Sequence, residues 1–302
     1  MRRPSPTTLP MALILGFTAA GAMNPAPVSA QTPSSSERVI SLGGSVTEVL
    51  FALGAGSMVI ARDGSSLYPA EVESLPNVGY RNGISAEGIL ALRPTLILTT
   101  RDYAPPVVLQ QLRGAGVSVV EVSPDASIEG ARERISEVAA AVGRTSEGEV
   151  LLARLDEDLS HLRRDVEAHP LPDHGTLILY LRGTQSTFVC GPDSAPGVML
   201  ALAGARNAAP DLRGCAPMTA ESVARSRADI LLVYTLGLDS VGGVEGLLTL
   251  PGIAQTPAGR TGRVVVMDDL YLGSFGPRSG RAARDLRSAL AEGTGVSWVE
   301  GP

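Results

Sequence analysis

The sequence contains no lysine. Its 25 basic residues are therefore all arginine, and 31 acidic residues outnumber them, which gives a formal net charge of -6. Nucleic-acid binding needs clustered positive charge that displaces counterions. Basic runs of that kind are missing here, so the composition excludes a nucleic-acid partner.

Motifs for catalysis are also missing. The three histidines, at positions 161, 169 and 174, have no zinc-type spacing with cysteine or carboxylate residues. Gly43-Gly44-Ser45 follows a predicted strand but matches neither a phosphate-binding nor a dinucleotide-binding loop, and Ser45 lacks the GxSxG elbow. We therefore expect a binding protein without a catalytic cofactor, with a secreted α/β enzyme as the alternative from another class.

Long apolar runs are confined to the N-terminus, where none reaches the length of a membrane span. Arg2 and Arg3 precede an apolar stretch at 9–22, and Val28-Ser29-Ala30 fits a cleavage site. Residues 1–30 thus read as a secretory signal peptide, followed by a polar linker at 31–37. The cleavage point has no cysteine for a lipid anchor.

Cysteine is scarce, with one at position 190 and one at position 215. In an oxidising compartment such an isolated pair is a candidate disulfide, Cys190–Cys215. Two separate buried thiols remain the alternative, because the sequence does not supply the required geometry.

Short apolar strands alternate with helical stretches along the rest of the chain. This pattern covers residues 38–142 and starts again in 171–302, and it is typical of parallel sheets with helices on both faces. Between them, residues 143–170 contain a long helix over about 146–167. The predicted fold is α/β: two Rossmann-like lobes with parallel sheets, joined by one long helix, with a ligand cleft between the lobes.

An internal repeat supports the two lobes. SAEGILALRPTLIL at 85–98 matches TAESVARSRADILL at 219–232, and each reads as a capped short helix followed by a buried strand. Glu87 and Glu221 occupy the same place in the two copies. A carboxylate in the first turn suits the helix dipole, which explains one glutamate but not the repetition.

Tyr80 is the best ligand candidate. It stands in a loop between Gly79 and Gly83, which leave the backbone room to project the ring into a cleft. A phenolate is a hard oxygen donor for ferric iron, and a cation such as Arg81 favours the ionised form. An ordinary surface tyrosine is the alternative on spacing alone.

Several motifs together resemble the periplasmic haem-binding proteins of Gram-negative haem ABC importers, within the wider group of helical-backbone binding proteins. The resemblance covers about residues 38–290. It is carried by RVISLGGSVTE at 38–48, ALGAG at 52–56, ARDGSSLYP at 61–69, LPNVGY at 75–80, SAEGILALRP at 85–94, LPGIAQTPAG at 250–259 and GSFGPR at 273–278.

The resemblance implies a periplasmic, monomeric carrier that transports haem as its ligand and delivers it to a membrane permease–ATPase pair. It places the axial haem ligand on Tyr80 and the permease-docking carboxylates, one per lobe, on Glu87 and Glu221. Tyr234 would face the cleft, and the GSFGPR motif adds Arg278 as a further ligand-binding candidate.

The chain also departs from the family pattern. Asn82 stands where some relatives have a basic residue, and Arg81 would substitute for it. Arg182 stands where some have a histidine, and would meet a haem propionate or the tyrosinate unless it is a plain surface arginine. A ferric siderophore or a corrinoid is the alternative ligand.

Overall fold

A computed structural model describes Met1, residues 37–293 and residues 295–301. The predicted signal peptide after Met1, and all but the last residue of the predicted linker, lie outside the described residues. In the described part, no helix is both long and apolar enough to cross a membrane.

The N-terminal lobe is built from alternating strands and helices. They are β1 (Val39–Leu42), α1 (Gly44–Ala52), β2 (Val59–Arg62), α2 (Ala86–Ala91), β3 (Leu96–Thr100), α3 (Pro106–Gly114), β4 (Ser118–Val122) and α4 (Ile128–Ala141). The strands form a parallel sheet in the order β2-β1-β3-β4. Both faces are covered, because alternate residues of β1 and β3 belong to two different buried clusters.

Helix α5 (Thr145–Ala168) leads to the C-terminal lobe. That lobe contains β5 (Gly175–Leu181), β6 (Thr187–Cys190), α6 (Ala195–Leu202), β7 (Arg206–Asn207), β8 (Cys215–Pro217), α7 (Ala220–Ser226), β9 (Ile230–Tyr234), α8 (Thr235–Asp239), α9 (Gly243–Thr249), α10 (Pro257–Thr261), β10 (Val264–Met267), α11 (Asp269–Gly273), α12 (Ser279–Ala291) and β11 (Val296–Val299).

The second sheet is mixed, which corrects the expectation of a purely parallel one. Its order is β11-β10-β9-β5-β6-β8, with β7 beside β5, and β6 runs antiparallel to both β5 and β8. The loop at 182–186 between β5 and β6 is too short for the crossover that a parallel neighbour requires. The remainder of the predicted fold, two α/β lobes joined by one long helix, is confirmed.

Helix α5 packs into both lobes. Its leucines at 151, 155, 159 and 162 share one buried cluster with residues of both sheets. Glycine permits the close approach at each crossing: a Cβ on Gly148 would lie 2.7 Å from that of Ala139 in α4, and one on Gly280 in α12 would lie 2.7 Å from that of Asp158. The core that joins the lobes is therefore continuous.

Candidate functional site: the cleft between the lobes

A cavity of about 640 Å³ lies between the two lobes. Most of its walls come from residues at, or in the segments after, the carboxyl ends of seven strands: β1, β2, β3, β4, β5, β9 and β10. In open α/β sheets this edge is where ligands bind, because the loops there are free to vary while the strands stay fixed. The cleft is the candidate site.

Tyr80 projects from the N-terminal wall, with 55% of its surface exposed. Gly79 before it has a φ of 110°, and a Cβ there would lie 2.7 Å from the carbonyl oxygen of Gly83. Only glycine fits this turn without strain, so the turn that presents the ring is encoded locally. The expectation from the flanking glycines agrees with this geometry.

Arg81 stands against Tyr80. Its Nε donates to the Tyr80 hydroxyl oxygen over 3.3 Å. This hydrogen bond is the main reason why the pKa of Arg81 is raised. In the described part of the chain, no carboxylate oxygen lies within 4.0 Å of this guanidinium. The positive field of Arg81 at the phenol oxygen is therefore not offset by a neighbouring carboxylate.

A second tyrosine lies behind the first. The Tyr103 hydroxyl donates to the carboxylate of Asp63, which is fully buried. Burial, and then this hydrogen bond, raises the pKa of Tyr103. Tyr103 therefore remains a neutral phenol beside Tyr80.

The C-terminal wall carries Tyr180, Arg182, Tyr234 and Asp269. The Arg182 guanidinium lies 4.4 Å from the centroid of the Tyr180 ring and 3.8 Å from Oδ1 of Asp269. Tyr234 is 7% exposed and meets Tyr180 edge to face at 5.9 Å. Burial is the main cause that raises the pKa of both Tyr234 and Asp269.

Arg134 of α4 lies at the base of the cleft and is only 2% exposed. It donates to the carbonyl oxygens of Ser123 and Asp125 in its own lobe, and to those of Ser274 and Phe275 in the other lobe. Burial lowers the pKa of Arg134. Its four carbonyl contacts tie the two walls together.

Arg278 lies apart from the cleft. It forms two hydrogen bonds with the carboxylate of Glu48, at 2.9 and 3.0 Å, and its guanidinium lies 3.4 Å from the centroid of the Tyr68 ring. Glu48 is 3% exposed. The structure therefore gives Arg278 a contact between the lobes in place of the ligand contact expected from its motif.

The charges of the cleft run against those of the whole chain. Among the described residues, Arg81, Arg134 and Arg182 line it together with a single carboxylate, Asp269, whereas the chain as a whole carries -6. A positive cleft in an acidic protein attracts an anionic ligand. The described residues contain no group of three or more His, Cys, Asp or Glu side chains arranged to hold a metal ion.

Glu87 and Glu221 both stand in the first turn of a helix. Ser85 caps α2 and Thr219 caps α7 through hydrogen bonds to backbone N–H groups. Both glutamates are exposed, and Glu221 forms an ion pair with Arg225. The repeated sequence thus corresponds to two helices of the same construction, one in each lobe.

Cys190 and Cys215 are joined by a disulfide bond in the structure. They are paired residues of the antiparallel strands β6 and β8, which brings their side chains together. The bond fixes the strand that leads into α7 and Glu221.

Four residues of the site escaped the sequence reasoning: Asp63, Tyr103, Arg134 and Tyr180. Tyr180 stands two positions before Arg182 at the end of β5, and Tyr103 follows the end of β3. Ligands bind at the carboxyl ends of the strands in open α/β sheets, and a search of the residues at the end of every predicted strand would have found both tyrosines. Arg134 lies within a helix, and its sequence gives no such signal.

Fold and cleft together define a two-lobed ligand-binding protein. The sequence profile of the family "Periplasmic binding protein" matches residues 39–271. The chain belongs to this family. The family is one of binding proteins, as are the solved relatives, so the expectation of a carrier rather than an enzyme is confirmed.

Solved structures and curated relatives show which members of the family this chain is similar to. The chain is similar to the periplasmic heme-binding protein RhuT from Roseiflexus sp. RS-1, with 43% identity, a TM-score of 0.81, and coverage of 84% of this chain and 98% of that one. It is similar to the periplasmic heme-binding protein BhuT, solved with two hemes, with 36% identity, a TM-score of 0.79, and coverage of 84% and 98%. The vitamin B12-binding protein of Pectobacterium atrosepticum is 25% identical over 261 residues, 85% of this chain and 89% of that protein.

Proposed function

We propose that this chain is a periplasmic carrier that captures ferric haem in the cleft and delivers it to an ABC importer. The observation that carries the proposal is the half-exposed Tyr80 with the Arg81 guanidinium at its phenol oxygen, on the wall of a cleft whose volume of about 640 Å³ lies within the usual range for small-molecule sites. The solved relatives named above are heme-binding proteins, which supports the same ligand.

In this proposal the Tyr80 oxygen is the axial ligand of the iron, and Arg81 favours its anionic form. Arg182 and Tyr234 contact the ligand from the opposite wall, with Arg182 facing a propionate. Leu67, Leu236 and Leu270 line the cleft and cover the apolar faces of the porphyrin. Burial of those faces supplies most of the affinity, and the polar contacts supply orientation.

A haemin titration of the apo-protein, followed by absorbance, tests the ligand. We expect a shifted Soret band with a tyrosinate–iron charge-transfer band, and loss of the latter in Tyr80→Ala. A purified, folded protein that leaves the haemin spectrum unchanged would refute the proposal.

A corrinoid is the second candidate, favoured by the curated vitamin B12-binding relatives, one group of which is 41% identical over 88 residues. A corrinoid has no need of a tyrosinate ligand. Competition decides between the two: cyanocobalamin is expected to leave bound haem in place, and its displacement of haem at matched concentration would favour the corrinoid.

Glu87 and Glu221 are proposed to dock the carrier on its permease. One exposed carboxylate per lobe suits a pair of arginines on a two-fold symmetric partner. The double variant Glu87→Ala/Glu221→Ala is expected to abolish haem uptake by cells while haem binding persists. Glu245→Ala is the matched control, since Glu245 is also an exposed first-turn glutamate. Uptake that survives the double variant would contradict this docking role.

Export, organisation and oligomeric state belong to the same proposal. Residues 1–30 are removed as a signal peptide, residues 38–142 and 171–302 form the two lobes, and 143–170 is the connection between them. The carrier acts as a monomer. N-terminal sequencing of the protein from the periplasmic fraction is expected to begin at Gln31, and light scattering is expected to give the mass of one chain.

A further inference from the structure

Tyr103 lies directly behind Tyr80 on the N-terminal wall. The two rings meet edge to face, with centroids 6.3 Å apart and planes at 86°. Tyr103 also lines the cleft. The tyrosine that presents its oxygen to the ligand therefore has a second aromatic ring as its support.

A buried carboxylate fixes the position of Tyr103. Asp63 is fully buried, and its Oδ1 accepts from Gly43 N at 2.9 Å and Ser66 Oγ at 2.6 Å. Its Oδ2 accepts from Ser65 N at 2.7 Å, from Ser65 Oγ at 2.6 Å and from the Tyr103 hydroxyl. A carboxylate held by this many donors has one orientation, so the Tyr103 hydroxyl bonded to it has one as well.

Arg81 rests on both rings. Its guanidinium carbon lies 5.1 Å from the centroid of Tyr103 and 5.8 Å from that of Tyr80. Arg81 is exposed, and a free arginine side chain of this kind loses entropy when it is held in one rotamer. The face of a fixed aromatic ring offsets that loss through cation–π attraction.

We propose that Tyr103 is a positioning residue for the iron ligand: anchored on Asp63, its ring holds the Arg81 guanidinium against the Tyr80 oxygen. The inference rests on the proposed haem site at Tyr80. Tyr103 acts through Arg81 and makes no bond to the iron. The titratable groups that face this cluster are Tyr180 on the opposite wall and Asp63 behind Tyr103.

The pH stability of the tyrosinate–iron band tests the role of the ring. Protons compete with iron for the phenolate oxygen, so a displaced Arg81 raises the pH at which acid removes the band. Tyr103→Leu is expected to raise this midpoint by about one pH unit, as for a cation lost from the neighbourhood of an anion. Tyr103→Phe keeps the ring and is expected to shift it less. Equal shifts for Phe and Leu would contradict a role for the ring.

A double-mutant cycle with Arg81→Gln tests whether Tyr103 acts through the arginine. Once Arg81 is removed, Tyr103→Leu is expected to cause no further shift of the midpoint. If Tyr103→Leu shifts the midpoint equally in the wild type and in the Arg81→Gln variant, the inference is overturned, because the effect of Tyr103 would then not depend on Arg81. If circular dichroism shows that the Tyr103→Leu variant does not fold, Tyr103→Met takes its place in the cycle, because methionine is close to leucine in volume and more flexible.

The two proposals fail in distinguishable ways. A wild-type protein without any tyrosinate–iron band would contradict the haem site itself. A wild-type protein with the band, combined with additive shifts in the cycle, would contradict only the role of Tyr103.

Discussion

The two walls of the cleft use the same residue types to different effect. On the N-terminal wall, Arg81 points its Nε at the oxygen of Tyr80, which is 55% exposed. On the C-terminal wall, Arg182 lies over the face of Tyr180 and 3.8 Å from Asp269, while Tyr234 is only 7% exposed. The first arrangement points the arginine at the phenol oxygen, whereas the second lays the arginine over a ring face and beside a carboxylate.

This difference shows that composition does not define a binding wall. An arginine beside a carboxylate has part of its field cancelled, whereas an arginine at a phenol oxygen keeps its field for that oxygen. In the haem site proposed above, the N-terminal wall holds the iron and the C-terminal wall covers the planar ligand. Four predictions test the comparison, in order of decreasing expected effect.

Removing the tie between the walls is expected to have the largest effect. Arg134→Leu leaves four carbonyl oxygens without their donor, two in each lobe. We expect a loss of roughly 3 kcal/mol in the free energy of unfolding. Denaturant titration measures it. Arg132→Leu is the control on the same helix, because its partly exposed ion pairs with Glu129 and Asp156 are expected to contribute less than about 1 kcal/mol. Equal losses would contradict the role of Arg134.

The second prediction compares the tyrosines of the two walls. Tyr80→Ala is expected to weaken haemin binding by about 100-fold or more, because it removes the proposed iron ligand, and Tyr180→Ala by about tenfold, because it removes only packing area. Absorbance titration gives both dissociation constants. A greater loss for Tyr180→Ala would transfer the iron site to the C-terminal wall.

The two arginines provide the third test. Arg81→Gln is expected to weaken haemin binding by about tenfold, and Arg182→Gln by about threefold, since Asp269 offsets part of the charge of Arg182. The same titration repeated at high salt is expected to reduce both differences. If the two variants behave alike, the electrostatic distinction between the walls fails.

The smallest effect is expected from Asp269→Asn. Burial raises the pKa of this carboxyl in the folded protein, so the folded state binds its proton more tightly than the unfolded chain does. The tighter proton binding of Asp269 therefore stabilises the folded protein at low pH, and this contribution to the free energy of unfolding is lost as the pH rises above about 4. The wild type should therefore become less stable relative to the asparagine variant over that rise.

Unfolding curves of the two proteins across this pH range measure the difference. The variant should also bind haemin about threefold more tightly, since the cleft loses its carboxylate. A stability difference that does not change with pH would contradict the buried-carboxylate interpretation.

Local sequence was sufficient for the two-lobe plan, for the connecting helix and for the turn that carries Tyr80. Strand and helix patterns predicted the two lobes and placed the connecting helix at 146–167, where α5 spans Thr145–Ala168. Glycines at 79 and 83 indicated that Tyr80 is presented by a turn, because the turn is encoded by residues next to it. Such features depend on neighbours in the chain, which a sequence displays directly.

Contacts between distant segments were beyond the sequence. The antiparallel course of β6, the bond of Tyr103 to Asp63 forty positions earlier and the contacts of Arg134 with Ser274 and Phe275 all join residues that the chain keeps apart. Arg278 shows the same limit, because its motif gave no hint of Glu48, 230 positions away.

The sequence by itself determined an acidic, lysine-free α/β chain with a repeated capped helix and a tyrosine on a glycine-flanked turn. Only the tertiary structure decided that the cleft is positive and that Tyr103 stands behind Tyr80. It also decided that Asp269 offsets part of the electrostatic field of Arg182, whereas no carboxylate of the described residues lies close enough to offset that of Arg81. The physical reason is that charge and burial at a site are sums over every segment that meets there, and those segments come together only in the folded protein.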